Sequence, residues 1–307
     1  MPTAMSPRMA NLLLLLAGAT WGMGFVAQQT AMEDMGPFLF IGLRFLLAGL
    51  VVLPFAIREI QKIDDGFSWR QLIRLIPVGV VFFLAMALQQ VGLIGTTVTN
   101  AGFLTALYVV FVPLILLFVL GEAQAVIIWP ASFVAIVGIY LLSGGNIIAL
   151  NWGDWLVIVC AIFWALHVIL VGKIVVSSGT PVIMATLQFF ICGLLGFVGH
   201  ILAPYLGIYE PDASIAVILA ASPEILYAGI LAGGFAFTLQ AIGQQYTSQA
   251  AAAILLSSES LFAAVFGAWI LGERLGYIGY IGCALIFAAL LMVELKPSLP
   301  KQVDSIR

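Results

Sequence analysis

The chain contains one long stretch twice. Residues 88–122 align with residues 239–273 at a constant shift of 151, without a gap. The shift places Gln89 on Gln240 and Thr96 on Thr247, and it ends with Leu-Gly-Glu in both copies. Coincident leucines and alanines are common in an apolar chain, but a coincident glutamine inside a segment and a coincident Gly-Glu at its end are not. We interpret the two stretches as an internal duplication.

The composition excludes a water-soluble fold for most of the chain. Of the 307 residues, 63% are hydrophobic and only 8% are charged, with a mean hydropathy of +1.18. A soluble protein of this length needs far more charge to cover its surface. The formal net charge of -3 gives no basic surface for nucleic acid, and the three cysteines show no metal-ligand spacing. We therefore expect a polytopic membrane protein with the lipid bilayer as solvent, no nucleic-acid partner and no cofactor.

Ten apolar segments are each long enough, as an α-helix, to cross a hydrocarbon core of ~30 Å. They run approximately over 12–32, 37–57, 73–94, 97–120, 125–143, 154–176, 181–203, 223–245, 248–271 and 276–294. The predicted fold class is an all-α integral membrane protein with ten transmembrane helices. Segment one follows Arg8 in the layout of a secretory signal, but Thr20, Trp21 and two glycines interrupt it, so we expect a membrane helix.

The basic residues predict the orientation. One side of the membrane would collect nine of them, namely Arg8, Arg58, Lys62, Arg70, Arg74, Lys173, Lys296, Lys301 and Arg307. The opposite side would receive only Arg274. Because cytoplasmic loops are enriched in Lys and Arg, we expect both termini in the cytoplasm and the protein in the inner or plasma membrane.

The earlier parts of the two halves also match. Trp21 aligns with Trp164 at a shift of 143, and Arg44 with Gln188 at 144. Each copy then holds five segments, and because five is odd, the second copy must enter the membrane inverted. We predict a first repeat over 1–143, a linker over 144–153, a second repeat over 154–294 and a cytoplasmic tail over 295–307. Inverted repeats of this kind are typical of transporters, with a substrate site near the midplane.

Several motifs carry a family resemblance. They are an early tryptophan in each half, in 20–22 and 163–165, the Leu-Gly-Glu at 120–122, and the runs 271–275 and 279–282. On these, the chain resembles the drug/metabolite transporter superfamily, in particular proteins built from two tandem EamA domains, and most of all the YddG-type amino acid exporters. The resemblance implies export of small amphipathic metabolites such as aromatic or neutral amino acids, and the direction of transport comes from it alone.

Two ionisable side chains fall near mid-helix, where they are expected to face the protein interior or a wet cavity. Glu259 lies in segment nine and His167 in segment six. Glu259 could bind a substrate ammonium or a coupling proton, or be a protonated acid bonded to its neighbours; its first-half counterpart is Tyr108. His167 could relay protons or form a structural hydrogen bond between helices.

Gln89 and Gln240 are the best candidate pair for a substrate site. Gln240 shares a helix face with Phe237, and the two amides are equivalent in the duplication. They could line a central cavity and bond to an amino-acid backbone, or they could bond to neighbouring helices as structural contacts.

Trp21 and Trp164 lie away from the helix ends, so the interfacial position usual for membrane tryptophans does not explain them. We expect paired aromatic walls that suit an apolar side chain, with ordinary helix packing as the alternative. Further candidate wall residues are Asn100, Phe103, Tyr108, Ser257 and Ser258.

Three other charged residues have structural interpretations. Arg44 lies some seven residues below the outer end of segment two, and its long stem favours a snorkelling anchor at the interface over a ligand for a substrate carboxylate. Glu122 and Glu273 precede segments five and ten, where each would cap the following helix.

The sequence therefore predicts a secondary carrier that works by alternating access, with a small-molecule solute as partner, protons as a further candidate partner and no required oligomer. Nucleotide-like or drug-like compounds are the alternative substrates, and a passive channel or facilitator is the alternative class. A membrane enzyme is disfavoured, since His167 and Glu259 lack the partners of a catalytic set.

Overall fold

The computed structural model describes residues 5–33, 35–63, 68–142, 150–211, 214–270, 272, 274 and 276–295. The regular structure within these ranges is helical, with no strand. Within the described residues, eight helices are long and apolar enough to cross a membrane. Segments five and ten are shorter apolar helices, so the count of ten crossings stays a prediction.

The helices follow the predicted segments closely. Segments one to three are Pro7–Ala31, Pro37–Ile60 and Trp69–Gly92; segment four consists of Val98–Thr105, Tyr108–Leu114 and the π-helical Ile115–Val119; segment five is Ile128–Leu142. Segments six and seven are Trp152–Ser178 and Pro181–Leu202, followed by the 3-10 turn Ala203–Leu206 and the short helix Ile215–Ala220. Segment eight consists of Ser222–Leu226, the π-helical Tyr227–Ala236 and Phe237–Gln244; segment nine of Gln249–Leu256 and Ser258–Ile270; segment ten is Tyr277–Leu295.

The duplication is visible in the backbone of segments four and nine. Their first helical pieces, Val98–Thr105 and Gln249–Leu256, begin and end at positions related by the shift of 151. Thr97 and Ser248 cap these pieces in the same way, because each side chain accepts a hydrogen bond from the backbone N–H three residues on. Both segments are thus interrupted at the same depth along the helix.

The turn after each of these segments is also shared. Gly121 and Gly272 are related by the same shift and have φ values of 68° and 70°. This left-handed conformation is costly for residues with a Cβ atom, which explains why the Leu-Gly-Glu motif recurs.

Helices of one copy pack mainly against helices of the other copy, and equivalent helices make equivalent contacts. Segment two packs along its own counterpart, segment seven, and segment five packs along segment ten. Segment three contacts segment six, and its counterpart, segment eight, contacts segment one. The contact of segment three with segment six is thus repeated as the contact of segment eight with segment one. An approximate two-fold axis between the copies produces such pairs of equivalent contacts.

Segments two and seven run antiparallel and approach closely. Leu46 lies against Gly193, while Gly42 lies against Gly196. A Cβ atom at Gly196 would lie 2.6 Å from the backbone nitrogen of Gly42. Glycine is therefore required here for the two backbones to meet, as in other membrane helix pairs that pack through small residues.

A carboxylate joins the copies at each end of this helix pair. Glu59 accepts hydrogen bonds from the backbone N–H groups of Val182 and Ile183 at 3.4 and 2.7 Å. At the other end, Glu210 accepts from Phe38 and Leu39 at 3.1 and 2.8 Å. Glu59 and Glu210 are equivalent at the shift of 151, and the amides that they cap are equivalent at the shift of 144. Each copy therefore caps the same helix of the other copy with the same acid.

These caps satisfy backbone donors that the first turn of a helix leaves unpaired. The carboxylates also lie at the positive ends of the two helix dipoles. Glu210 is fully buried and additionally contacts Nδ1 of His200 at 2.9 Å. We refer to Glu59 and Glu210 with these amides as the reciprocal caps.

Removing either cap should destabilise the fold. We expect Glu59→Gln and Glu210→Gln each to lower the free energy of unfolding by about 1 kcal/mol, because each loses a charged acceptor at a helix N-terminus. The caps lie ~33 Å apart along the helix pair, so the two effects should add. Thermal unfolding in detergent micelles measures both, with the exposed Glu33→Gln as control. Equal melting temperatures in all variants would contradict the assignment.

Candidate functional site

A cavity lies between the two copies, and the space in it that no atom fills, together with the solvent at its mouth, is about 530 Å³. Segments one to four line it from the first copy, and segments six, eight and nine from the second. Residues of both copies are therefore needed to form its wall.

Aromatic rings form one side of the cavity. The Trp164 and Phe237 rings are stacked, with centroids 5.7 Å apart and an interplanar angle of 8°. The Trp21 ring lies 4.4 Å from Phe237, and Phe45 completes the set. Such a wall suits a flat apolar group of a ligand.

The backbone of segment eight is widened where it meets the cavity. Its π-helical stretch Tyr227–Ala236 contributes Ala228, Ala232 and Gly233 to the lining. The indole N–H of Trp21 donates to the carbonyl of Ala232 at 2.9 Å, which fixes that ring against segment eight. π-helical turns often occur at functional sites, because they alter the carbonyl directions of a helix.

Three glutamines contribute amides to the lining. Gln89 donates from Nε2 to the Thr105 hydroxyl at 3.0 Å, while Gln240 lines the cavity from segment eight. Gln89 therefore lines the cavity and also links segment three to segment four. The interpretation as a cavity residue and the interpretation as a structural contact are compatible. Gln28 donates to the Gly24 carbonyl of its own helix, and its Oε1 is buried with no hydrogen-bond partner.

Among the residues that the structure describes, one acid reaches the cavity. Glu259 is 6% exposed and lines the wall together with Tyr108, its counterpart in the first copy. The residue follows directly on the break in segment nine, near the start of the helix Ser258–Ile270. A buried carboxylic side chain beside an aromatic wall can take up a proton or pair with a cationic group.

Arg44 corrects the sequence prediction. The residue is 3% exposed and lines the cavity, so a snorkelling anchor at the lipid interface is wrong. The side chain is buried because Arg44 lies on the face of segment two that points into the bundle. Segment two presents this side to segments three, seven and eight, and the guanidinium extends within the bundle.

Of the eleven predicted site residues, the cavity brings together seven. They are Trp21, Gln89, Tyr108, Trp164, Phe237, Gln240 and Glu259. His167 lies behind this wall, where its Nε2 contacts Oε1 of Gln188 at 2.9 Å. Ser258 is buried against Gly18 of segment one. Asn100 lies in the first turn of its helix and Phe103 packs between segments, and neither is part of the lining.

The helix-cap interpretation of Glu122 is also wrong. Segment five begins at Ile128, so Glu122 is too far from its first turn, and the carboxylate instead pairs with Lys173 at 2.5 Å. The same prediction for Glu273 lies outside the described residues.

Sequence reasoning missed three lining residues of interest: Gln28, Arg44 and Phe45. Arg44 and Phe45 align with Gln188 and Phe189 in the duplication, which was the available signal. For Gln28, the apolar composition of its helix gives no sequence signal of which side faces the cavity. Among the described residues, no cluster of three His, Cys, Asp or Glu side chains could hold a metal ion.

Comparisons with known proteins agree on one family. The model of the EamA-like transporter family matches residues 8–144 and again residues 151–295. A protein of Archaeoglobus fulgidus named as an uncharacterized transporter is 33% identical over 94% of this chain and 86% of its own length. The inner membrane transporter YedA of Escherichia coli K12 is 23% identical over 90% of this chain and 87% of its own.

The fold has a counterpart among solved structures. One crystal structure superposes with a TM-score of 0.72 and covers 94% of this chain and 96% of the other. The sequence identity of 16% means that this likeness concerns the fold alone.

The contact between Gln89 and Thr105 should be measurable. We expect Thr105→Val to lower the free energy of unfolding by about 1 kcal/mol, because a buried amide loses its acceptor. The double variant Gln89→Leu/Thr105→Val should recover most of this loss, since neither partner is then left unpaired. Thr186→Val is the control, because Thr186 bonds only to a carbonyl of its own helix. Additive losses in the double variant, measured by thermal unfolding, would argue against the contact.

Proposed function

Because the chain belongs to the EamA-like transporter family, we propose that it is a secondary carrier that moves small amphipathic solutes, most of all aromatic and neutral amino acids, across the cell membrane. The single observation that carries this proposal is the cavity between the two copies. Its wall combines stacked aromatic rings with amides and one acid, which matches a solute with an apolar side chain and a polar backbone.

The proposed topology is ten crossings in two inverted five-helix repeats, with the division at residues 144–153. The antiparallel packing of segments two and seven supports the inversion, because two equivalent helices run in opposite directions only when their copies do. The excess of basic residues on one side supports cytoplasmic termini.

The proposed mechanism is alternating access. Residues of both copies line the cavity, so a movement of one copy against the other would change its exposure. The interruptions in segments four and nine lie next to Tyr108 and Glu259, at equivalent positions of the two copies. These are places where a helix can change direction with little loss of hydrogen bonding.

Within the family, we place the chain with the YddG-type amino acid exporters, on the motifs given by the sequence. Protons are the proposed second partner, because Glu259 is an acid of the cavity wall that is present in one copy only.

Transport by the purified protein tests the substrate proposal. We expect saturable uptake of radiolabelled phenylalanine into proteoliposomes, and a rise in KM of about tenfold or more in Trp164→Ala, because an aromatic contact to the solute is lost. Trp155→Ala is a matched control on the same helix, since that ring is 57% exposed. If verified, folded protein transports no amino acid, the substrate proposal is refuted.

A separate measurement tests proton coupling. An inward proton gradient should change the initial uptake rate of the wild type, and Glu259→Gln should remove this response, because the amide cannot exchange a proton. The control Glu33→Gln, at an exposed position, should respond like the wild type. Uptake that ignores the gradient in the wild type would identify a facilitator and leave Glu259 a structural role.

A further inference from the structure

Arg44 brings a positive charge to the cavity without a counter-ion. None of the ion pairs among the described residues includes it. Its Nη2 donates to the Met86 thioether at 2.9 Å, and its Nε is buried with no hydrogen-bond partner. Sulfur in a thioether is only a weak acceptor, so two of the three guanidinium nitrogens, Nε and Nη2, are poorly satisfied.

Two aromatic rings hold the guanidinium in place. Its central carbon lies 4.7 Å from the centroid of the Phe45 ring and 4.9 Å from that of Phe40. Cation–π contacts of this kind position a guanidinium but leave its N–H groups free to donate. The guanidinium is therefore held in place while its Nε has no hydrogen-bond partner.

The position equivalent to Arg44 in the second copy is not part of the cavity lining. There the residue equivalent to Arg44 is Gln188, a neutral amide, and its Oε1 contacts His167 at 2.9 Å. In the second copy, His167 is the hydrogen-bond partner of Gln188. In the first copy, the position equivalent to His167 is Gly24, which has no side chain to pair with Arg44 and lines the cavity.

An unpaired charge in a dry interior is unfavourable, whereas a neutral amide with a partner is tolerated. Packing alone therefore does not account for an arginine at this position. A guanidinium with unsatisfied donors matches a carboxylate, which can accept two parallel hydrogen bonds from it. Glu259 lies in the same cavity and supplies a carboxyl group from the other copy.

We propose that Arg44 is a specificity-determining residue that binds the carboxylate of the transported solute. This proposal rests on the proposed function and narrows its substrate class to carboxylates, with zwitterionic amino acids as the best fit. The carboxylate pairs with Arg44, the ammonium with Glu259, and the side chain lies against the aromatic wall of Trp164 and Phe237.

Binding of three related probes tests it on the purified full-length protein. Phenylalanine carries both charged groups, 3-phenylpropionate only the carboxylate and phenethylamine only the ammonium. Isothermal titration calorimetry gives the dissociation constant of each probe for the wild type, Arg44→Gln, Arg44→Lys and the control Arg58→Gln, which changes an exposed arginine of the same helix.

We expect the wild type to bind phenylalanine about tenfold or more tightly than phenethylamine, because only phenylalanine offers a partner to Arg44. Arg44→Gln should weaken phenylalanine and 3-phenylpropionate by a similar factor and leave phenethylamine unchanged. Arg44→Lys should restore part of the loss, and Arg58→Gln should behave like the wild type. Unchanged phenethylamine binding also shows that the variant is folded.

Other results overturn the proposal. An equal loss for all three probes in Arg44→Gln would mean that Arg44 only supports packing. Undiminished phenylalanine binding in that variant would refute the role of Arg44 and leave the amino-acid proposal intact. Conversely, 3-phenylpropionate that binds through Arg44, while phenylalanine neither binds nor is transported, would support the carboxylate site and refute the amino-acid proposal. If Arg44→Gln does not fold, the wild type decides alone, since equal affinity for phenylalanine and phenethylamine excludes the interaction.

Discussion

Two carboxylates at opposite ends of one antiparallel helix pair connect the copies of this protein. Glu59 and Glu210 each accept hydrogen bonds from the first backbone amides of the helix that belongs to the other copy. Between these ends, Gly193 and Gly196 let the two backbones approach. Neither helix could satisfy these amides within itself, because the first turn of any helix lacks internal acceptors. Segments two and seven therefore form one unit that joins the two copies.

The candidate site depends on this unit. Arg44 and Gln188 occupy equivalent positions on the paired helices, but only Arg44 opens onto the cavity. The duplication gives both copies the same helix caps and the same breaks in segments four and nine, but side chains at equivalent positions differ, such as Gly24 against His167 and Tyr108 against Glu259. An approximately symmetric scaffold thus carries an asymmetric cavity, with its one arginine from the first copy and its one described acid from the second.

Much of the fold could be predicted because the hydrophobic pattern of a membrane helix is strong. The predicted segments correspond to observed helices, and the shift of 151 locates the shared caps and helix breaks to the residue. Side-chain direction was harder to predict. In a helix that is apolar all round, the pattern does not indicate the inner face, so Arg44 was assigned to the lipid interface and Asn100 to the cavity. Glu122 was misplaced because the sequence does not show that segment five starts only at Ile128.

The measurement that tests the account most directly is solute counterflow. Proteoliposomes are loaded with unlabelled phenylalanine and diluted into a trace of the labelled form. A carrier whose single site faces one side at a time should accumulate label transiently above its equilibrium level, because internal unlabelled solute competes for the return step. A passive channel lets the label only equilibrate. Transient accumulation is the result that the account predicts, and a monotonic approach to equilibrium, with verified phenylalanine flux, would contradict it.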